Sequence, residues 1–96
     1  MVITELIAGK HEALGEIMAR NGARRLRLFG SFAEGNATGD SDVDILVDME
    51  PGRDLLDLVG LKFDIAALLE RSVDVVEEEG LSPYLREHIL ATAVEI

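Results

Sequence analysis

The run Asp42-Val43-Asp44-Ile45-Leu46-Val47-Asp48 alternates acid and aliphatic residues except at Leu46, and a period of two belongs to a strand. Successive side chains of a strand point to opposite faces, so Val43, Ile45 and Val47 make an apolar face that must be covered. Asp42, Asp44 and Asp48 make the other face, where burial without a partner would cost several kcal/mol. The chain must therefore build a sheet with one packed face and one charged face.

The remaining pattern supplies what that sheet needs. Apolar Ile7, Leu14, Ile17 and Met18 recur at helical spacing from Thr4 to about Ala19, which predicts an amphipathic helix closed by the left-handed cap Asn21-Gly22. Arg24 to Phe29 alternates again, with Leu26 and Leu28 on one side and Arg25 and Arg27 on the other, and predicts a strand. Gly30 to Ser41 is a loop with room for one helical turn. Asp42 to Met49 is the second strand, Pro51-Gly52 a turn, and Asp54 the cap of a helix running to about Glu70. Ser72 to Val76 predicts a third strand, Glu77 to Gly80 a charged turn, and Ser82-Pro83 the start of a last helix to about Ala93. The linker between the first two strands is short for a crossover helix, so those strands are expected to be antiparallel neighbours. The fold class is α/β in the α+β sense: a small mixed β-sheet with helices packed on it.

At 96 residues the chain is expected to be a single small domain. Nine Lys and Arg against nineteen Asp and Glu give a formal charge of −10, a field that repels a phosphate backbone, so no nucleic-acid partner is expected. There is no cysteine, which removes disulfides and thiolate chemistry and is compatible with a cytoplasmic location. No apolar run is long enough to span a membrane, and the first residues lack the basic region of a signal peptide.

Chemistry concentrates at two places. Asp42 and Asp44 lie about 6.6 Å apart along their strand, close enough for their carboxylates to converge on hard cations. Asp74 interrupts an apolar stretch, Val73-Asp74-Val75-Val76; if its strand lies beside the first pair, three carboxylates share one face. Such a set, with open positions for water and phosphate oxygens, suits magnesium, and two ions at such a site support phosphoryl or nucleotidyl transfer. The second place is Phe29-Gly30-Ser31 at the end of the first strand. There the glycine permits close backbone approach to a phosphate, and Ser31 offers a hydroxyl. Asp48 is farther along the same face and is expected to be solvated, like Glu77-Glu78-Glu79. His11, His88 and Tyr84 each stand alone on predicted helices and read as surface or packing residues.

Gly30-Ser31, ten residues, then Asp42-Val43-Asp44 resembles the signature of the DNA polymerase β-type nucleotidyltransferase superfamily. The small size and the run Ser41 to Val47 look most like its minimal nucleotidyltransferase branch. The resemblance implies the nucleotidyltransferase fold, with Asp42, Asp44 and Asp74 as magnesium ligands and catalytic acids, Asp74 as the base, and Gly30 and Ser31 binding the triphosphate of ATP. It also implies an antitoxin paired with a helical HEPN-type toxin, acting by transfer of AMP to a toxin tyrosine. Members of that family often carry arginine at the places held here by Phe32 and Glu34, so this loop is expected to hold a triphosphate more weakly. The competing expectation is a module with an idle metal site that neutralises its partner by masking it.

The helix after Asp54 bears on partners. Arg53, Asp57, Gly60, Asp64 and Arg71 fall in a stripe about 60° wide, while leucines, Val59, Phe63 and Ile65 cover most of the rest, interrupted only by Lys62. A small sheet cannot cover so wide an apolar arc, so part of it is expected to meet a second chain, either a helical toxin or a homodimer mate.

Overall fold

The computed structural model describes residues 2–96. Among the described residues four strands, β1 (Ala23–Phe29), β2 (Val43–Met49), β3 (Val73–Val76) and β4 (Val94–Glu95), form one mixed sheet in the order β3-β2-β1-β4. β1 runs antiparallel to β2, and β3 runs parallel to β2. Parallel neighbours need a crossover, supplied here by the helix between them, Leu55–Leu69.

The apolar face of β2 sets the core. Val43, Ile45 and Val47 are fully buried and join Leu26 and Leu28 of β1 and Val73 and Val75 of β3 in one cluster. Two amphipathic helices cover that cluster: α2 (His11–Asn21) through Leu14 and Ile17, and α3 (Leu55–Leu69) through Leu61, Ile65 and Leu69. α3 opens on a reciprocal capping box, Asp54 accepting from Asp57 N–H and Asp57 from Asp54 N–H. α2 ends at Gly22, φ +76°, as its cap pair requires.

The amino-terminal periodicity spans two helices and not one. A short α1 (Ile3–Ile7) is separated from α2 by Gly9 at φ +71°, a backbone conformation that breaks the hydrogen-bond ladder. Leu6 and Ile7 still reach the same core as Leu14 and Ile17, so the apolar spacing survives the break and conceals it. The last helix also starts later than its serine-proline signal. Ser82 O accepts from the N–H groups of Leu85 and Arg86, residues 83–85 form a turn, and α4 spans Arg86–Thr92. A fourth strand, β4 (Val94–Glu95), pairs antiparallel with β1. Two residues are too short for alternation to announce a strand. The segment between β3 and β4 thus carries the chain from one sheet edge to the other. Leu46 is fully buried although it points away from the main core. No helix among the described residues is long and apolar enough to cross a membrane.

The polar stripe of α3 faces the end of α2. Asp64 accepts from Asn21 Nδ2 at 2.8 Å and from Arg20 Nη2 at 3.1 Å. A side chain at Gly60 would meet Asn21 Oδ1 at 2.7 Å, so the glycine is what lets the buried asparagine fit. Those two bonds, the asparagine's first, hold the Asp64 carboxyl below the ordinary carboxylate range.

Candidate active site

Strand register gathers the acids. Asp44 of β2 lies directly beside Asp74 of β3 and opposite Phe29 of β1, so the three positions form one row across the sheet. Neighbours in such a row present side chains to the same face. Asp42 precedes β2 by one residue and is exposed, as is Asp74, while Asp44 is half-buried. The Asp44 carboxyl is pushed up from its ordinary 3.8, first by burial, then by the negative charges of Asp74 and Asp42. Asp44 therefore feels both of the other acids. None of the ion pairs among the described residues engages any of them. The side chains do not close into a ready-made cage: among the described residues no group of three His, Cys, Asp or Glu is drawn up around one ion position.

Gly30 follows Phe29, just beyond the end of β1, and lies against Asp44. Its φ is +72°, and a Cβ placed on it would lie 2.4 Å from Asp44 Oδ2. The glycine thus does two things: it turns the chain out of β1 and leaves room for the Asp44 carboxylate. Ser31, partly buried, starts a single turn in which Glu34 N–H donates to Gly30 O and Asn36 N–H to Ser31 O, each at 3.0 Å. That is the helical turn the loop composition allows. The far end of the loop is shaped by Thr38 and Ser41, Thr38 N–H donating to Ser41 Oγ at 2.8 Å, which delivers the chain to Asp42.

Three contributors are not evident from the motif. Phe32, at the place where arginine is common in the family, is 3% exposed and belongs to the core cluster. It anchors the loop. Arg71 lies 5.5 Å from the Phe32 ring centroid and donates to Ser41 O at 2.9 Å, so one guanidinium touches both ends of the loop. His88 of α4 pairs with Glu34 at 2.8 Å, a tie from the carboxyl-terminal helix to the loop. An aromatic inside a Gly- and Asn-rich loop was the available signal for Phe32. Nothing in the spacing indicates the His88 contact, because it joins residues 54 apart.

Asp48 lies on the acid face but outside the cluster, 3.6 Å from Arg27 Nη2. Two surface clefts of about 180 and 170 Å³ lie where β2 and β3 end, at the opposite end of the sheet from the acids. The second is lined by Asp48 and Glu77, Glu78 and Glu79, a wall that repels a triphosphate.

The profile of the nucleotidyltransferase domain matches residues 11–96. A protein adenylyltransferase, MntA, of Thermococcus cleftensis is 38% identical over 81 residues, covering 84% of this chain and 82% of its own. A solved structure provisionally named a minimal nucleotidyltransferase superposes with TM-score 0.81 at 47% identity, covering 96% of this chain and 94% of that one. A Shewanella oneidensis structure described as a tri-AMPylated HEPN toxin in complex with MNT antitoxin shares the fold, with TM-score 0.61 at 21% identity, covering 88% and 66% of the two chains. The chain belongs to the nucleotidyltransferase domain family. It is an enzyme of the nucleotidyltransferase class, with protein adenylyltransferases among its relatives.

Proposed function

We propose that this chain transfers AMP from ATP to a tyrosine hydroxyl of a HEPN-type toxin, and thereby acts as its antitoxin. The observation that carries the proposal is the pairing of Asp44 with Asp74 across the sheet beside Gly30, a glycine that makes room for the Asp44 carboxyl, which burial and the charges of Asp74 and Asp42 push up. Clustered carboxylates that none of the ion pairs among the described residues engages suit a hard divalent ion such as magnesium. Asp42, Asp44 and Asp74 would hold it, two ions being the usual complement. When bound, magnesium supplies positive charge to the phosphate oxygens and to the leaving pyrophosphate.

The chain's own groups account for the remainder. Gly30 and the turn after it bring backbone close to the triphosphate, and Ser31 offers its hydroxyl to a phosphate oxygen. The acceptor oxygen attacks the α-phosphorus, the bond from that phosphorus to the bridging oxygen breaks, and pyrophosphate leaves. Asp74, exposed at the edge strand, takes the phenolic proton. Glu34 puts a negative charge in the loop that meets the triphosphate, which favours slow transfer. It also supports a second reading, in which the chain neutralises its toxin by masking it.

The test is to incubate the chain with the purified HEPN-type protein encoded nearest to its gene, labelled ATP and magnesium. Label on the toxin, lost in Asp42→Ala and Asp44→Ala, is the expected result. Neutralisation that survives both substitutions without any label would leave masking as the mechanism.

A further inference from the structure

The outer surface of α3 is apolar where a helix of this kind is ordinarily charged. Leu55, Leu56 and Phe63 are 72%, 79% and 67% exposed, and Val59 lies between them at 38%. At the helical repeat these four fall within an arc of about 100°, turned away from Leu61, Ile65 and Leu69 in the core. The polar stripe that would have solubilised the helix is spent on α2, through Asp64, Gly60 and Asn21. Charge on the outer side is confined to exposed Lys62 at one edge and exposed Glu70 at the end. The arc runs on through Leu55 into the cleft of about 180 Å³, where Met49 and Leu58 give an apolar floor and Asp54, Glu77 and Arg53 a charged rim with an excess of acid.

We infer that this face of α3 is the docking surface for the protein partner, which presents apolar side chains flanked by lysine or arginine. The inference rests on the reading that the acceptor is a protein. Charge decides against a second copy of the chain. In an antiparallel two-fold pair, Asp54 comes opposite Glu70 and Lys62 opposite its own copy; in a parallel pair each meets itself. No cation at the helix ends relieves this, since Arg53 is held by Glu50 and Asp57, and Arg71 by Ser41 and Phe32. Each copy also brings a charge of −10, which opposes self-association and speeds encounter with a basic surface.

The test uses the intact chain and the same purified HEPN-type protein immobilised on a biosensor, with sedimentation velocity of the chain alone. The unsubstituted chain is expected to sediment as a monomer and to bind. Phe63→Lys is expected to weaken binding about 100-fold, as loss of a central aromatic anchor does, and Lys62→Glu to tighten it several-fold through faster association. Melting temperatures of both variants stay close to the parent, since both side chains are exposed. Binding by Phe63→Lys equal to the parent's overturns the docking surface and leaves the proposed reaction standing. A dimer of the parent that Phe63→Lys dissolves also overturns it, in favour of a second copy. Absence of binding by the parent overturns the docking surface and the proposed function together.

Discussion

Asp44 and Asp48 stand four residues apart on the same face of the same strand, and the chain treats them in opposite ways. Asp48 has Arg27 Nη2 at 3.6 Å and Arg25 as its cross-strand neighbour. Asp44 has Asp74 beside it and Asp42 two residues before it, and its carboxyl is pushed up by burial and by those two charges. Arg25 and Arg27 of β1 lie toward the Asp48 end of the face, and none of the ion pairs among the described residues engages Asp44. A fold that needed only stability would spread its cations along the row. Unbalanced charge kept at one end is what the proposed divalent ion would neutralise.

The contrast predicts unequal substitutions. Asp44→Ala is expected to lower the initial rate of label transfer by about 10³-fold, the equivalent of several kcal/mol of lost charge stabilisation. Asp48→Ala is expected to leave that rate unchanged, and equal losses in the two variants would abolish the distinction. Gly30→Ala comes next. Its Cβ displaces the Asp44 carboxylate, so transfer is expected to fall about 100-fold, the usual consequence of a misplacement near 1 Å. Because the clash is with a rotatable side-chain end, stability is expected to fall only by the roughly 1–2 kcal/mol of a left-handed backbone. A Gly30→Ala protein that melts normally and transfers normally would show that the close approach to Asp44 has no role.

Most of this contrast was legible before any coordinates. Alternation in Asp42 to Asp48 set the two faces, the short linker set β1 against β2, and Asp74 in an apolar run pointed to a third strand bearing an acid. The register of β2 with β3 puts that acid beside Asp44. What stayed hidden was long-range or too short. β4 has two residues, α1 shares its apolar period with α2, and the Glu34–His88 tie joins distant segments. The place of Phe32 is not legible from the motif for a physical reason: a large apolar ring in a small domain is drawn into the core even from within a polar loop. Phe32→Arg, which restores the family's cation, is accordingly expected to destabilise the protein and not to improve transfer.

At the compensated end, Asp48→Ala removes the charge beside Arg27, whose side chain is 13% exposed and whose Nε is buried without a partner. The aspartate itself is well exposed and the pair is long, so the expected cost is only about 1 kcal/mol, read as a fall of about 4–8 °C in Tm.

The smallest expected effect has the opposite sign and isolates the electrostatics of the other end. The Asp44 carboxyl is raised from 3.8 in the folded protein, so the native state holds that proton more tightly than the unfolded chain does. Its favourable contribution is complete below the unfolded value and is lost as pH rises through the raised native one. At neutral pH, in chelator, Asp44→Asn should therefore melt above the parent. The difference should shrink as pH falls and vanish below about pH 3.8, where the parent's carboxyl is protonated in both states. Partial exposure and solvent screening keep it to about 0.5 kcal/mol or less, a rise of no more than about 4 °C. Millimolar magnesium should then reverse the order, raising the Tm of the parent by binding its native state and leaving Asp44→Asn behind. A difference indifferent to both pH and magnesium would mean that neither burial nor the two neighbouring acids disfavour the Asp44 charge and that no ion binds there.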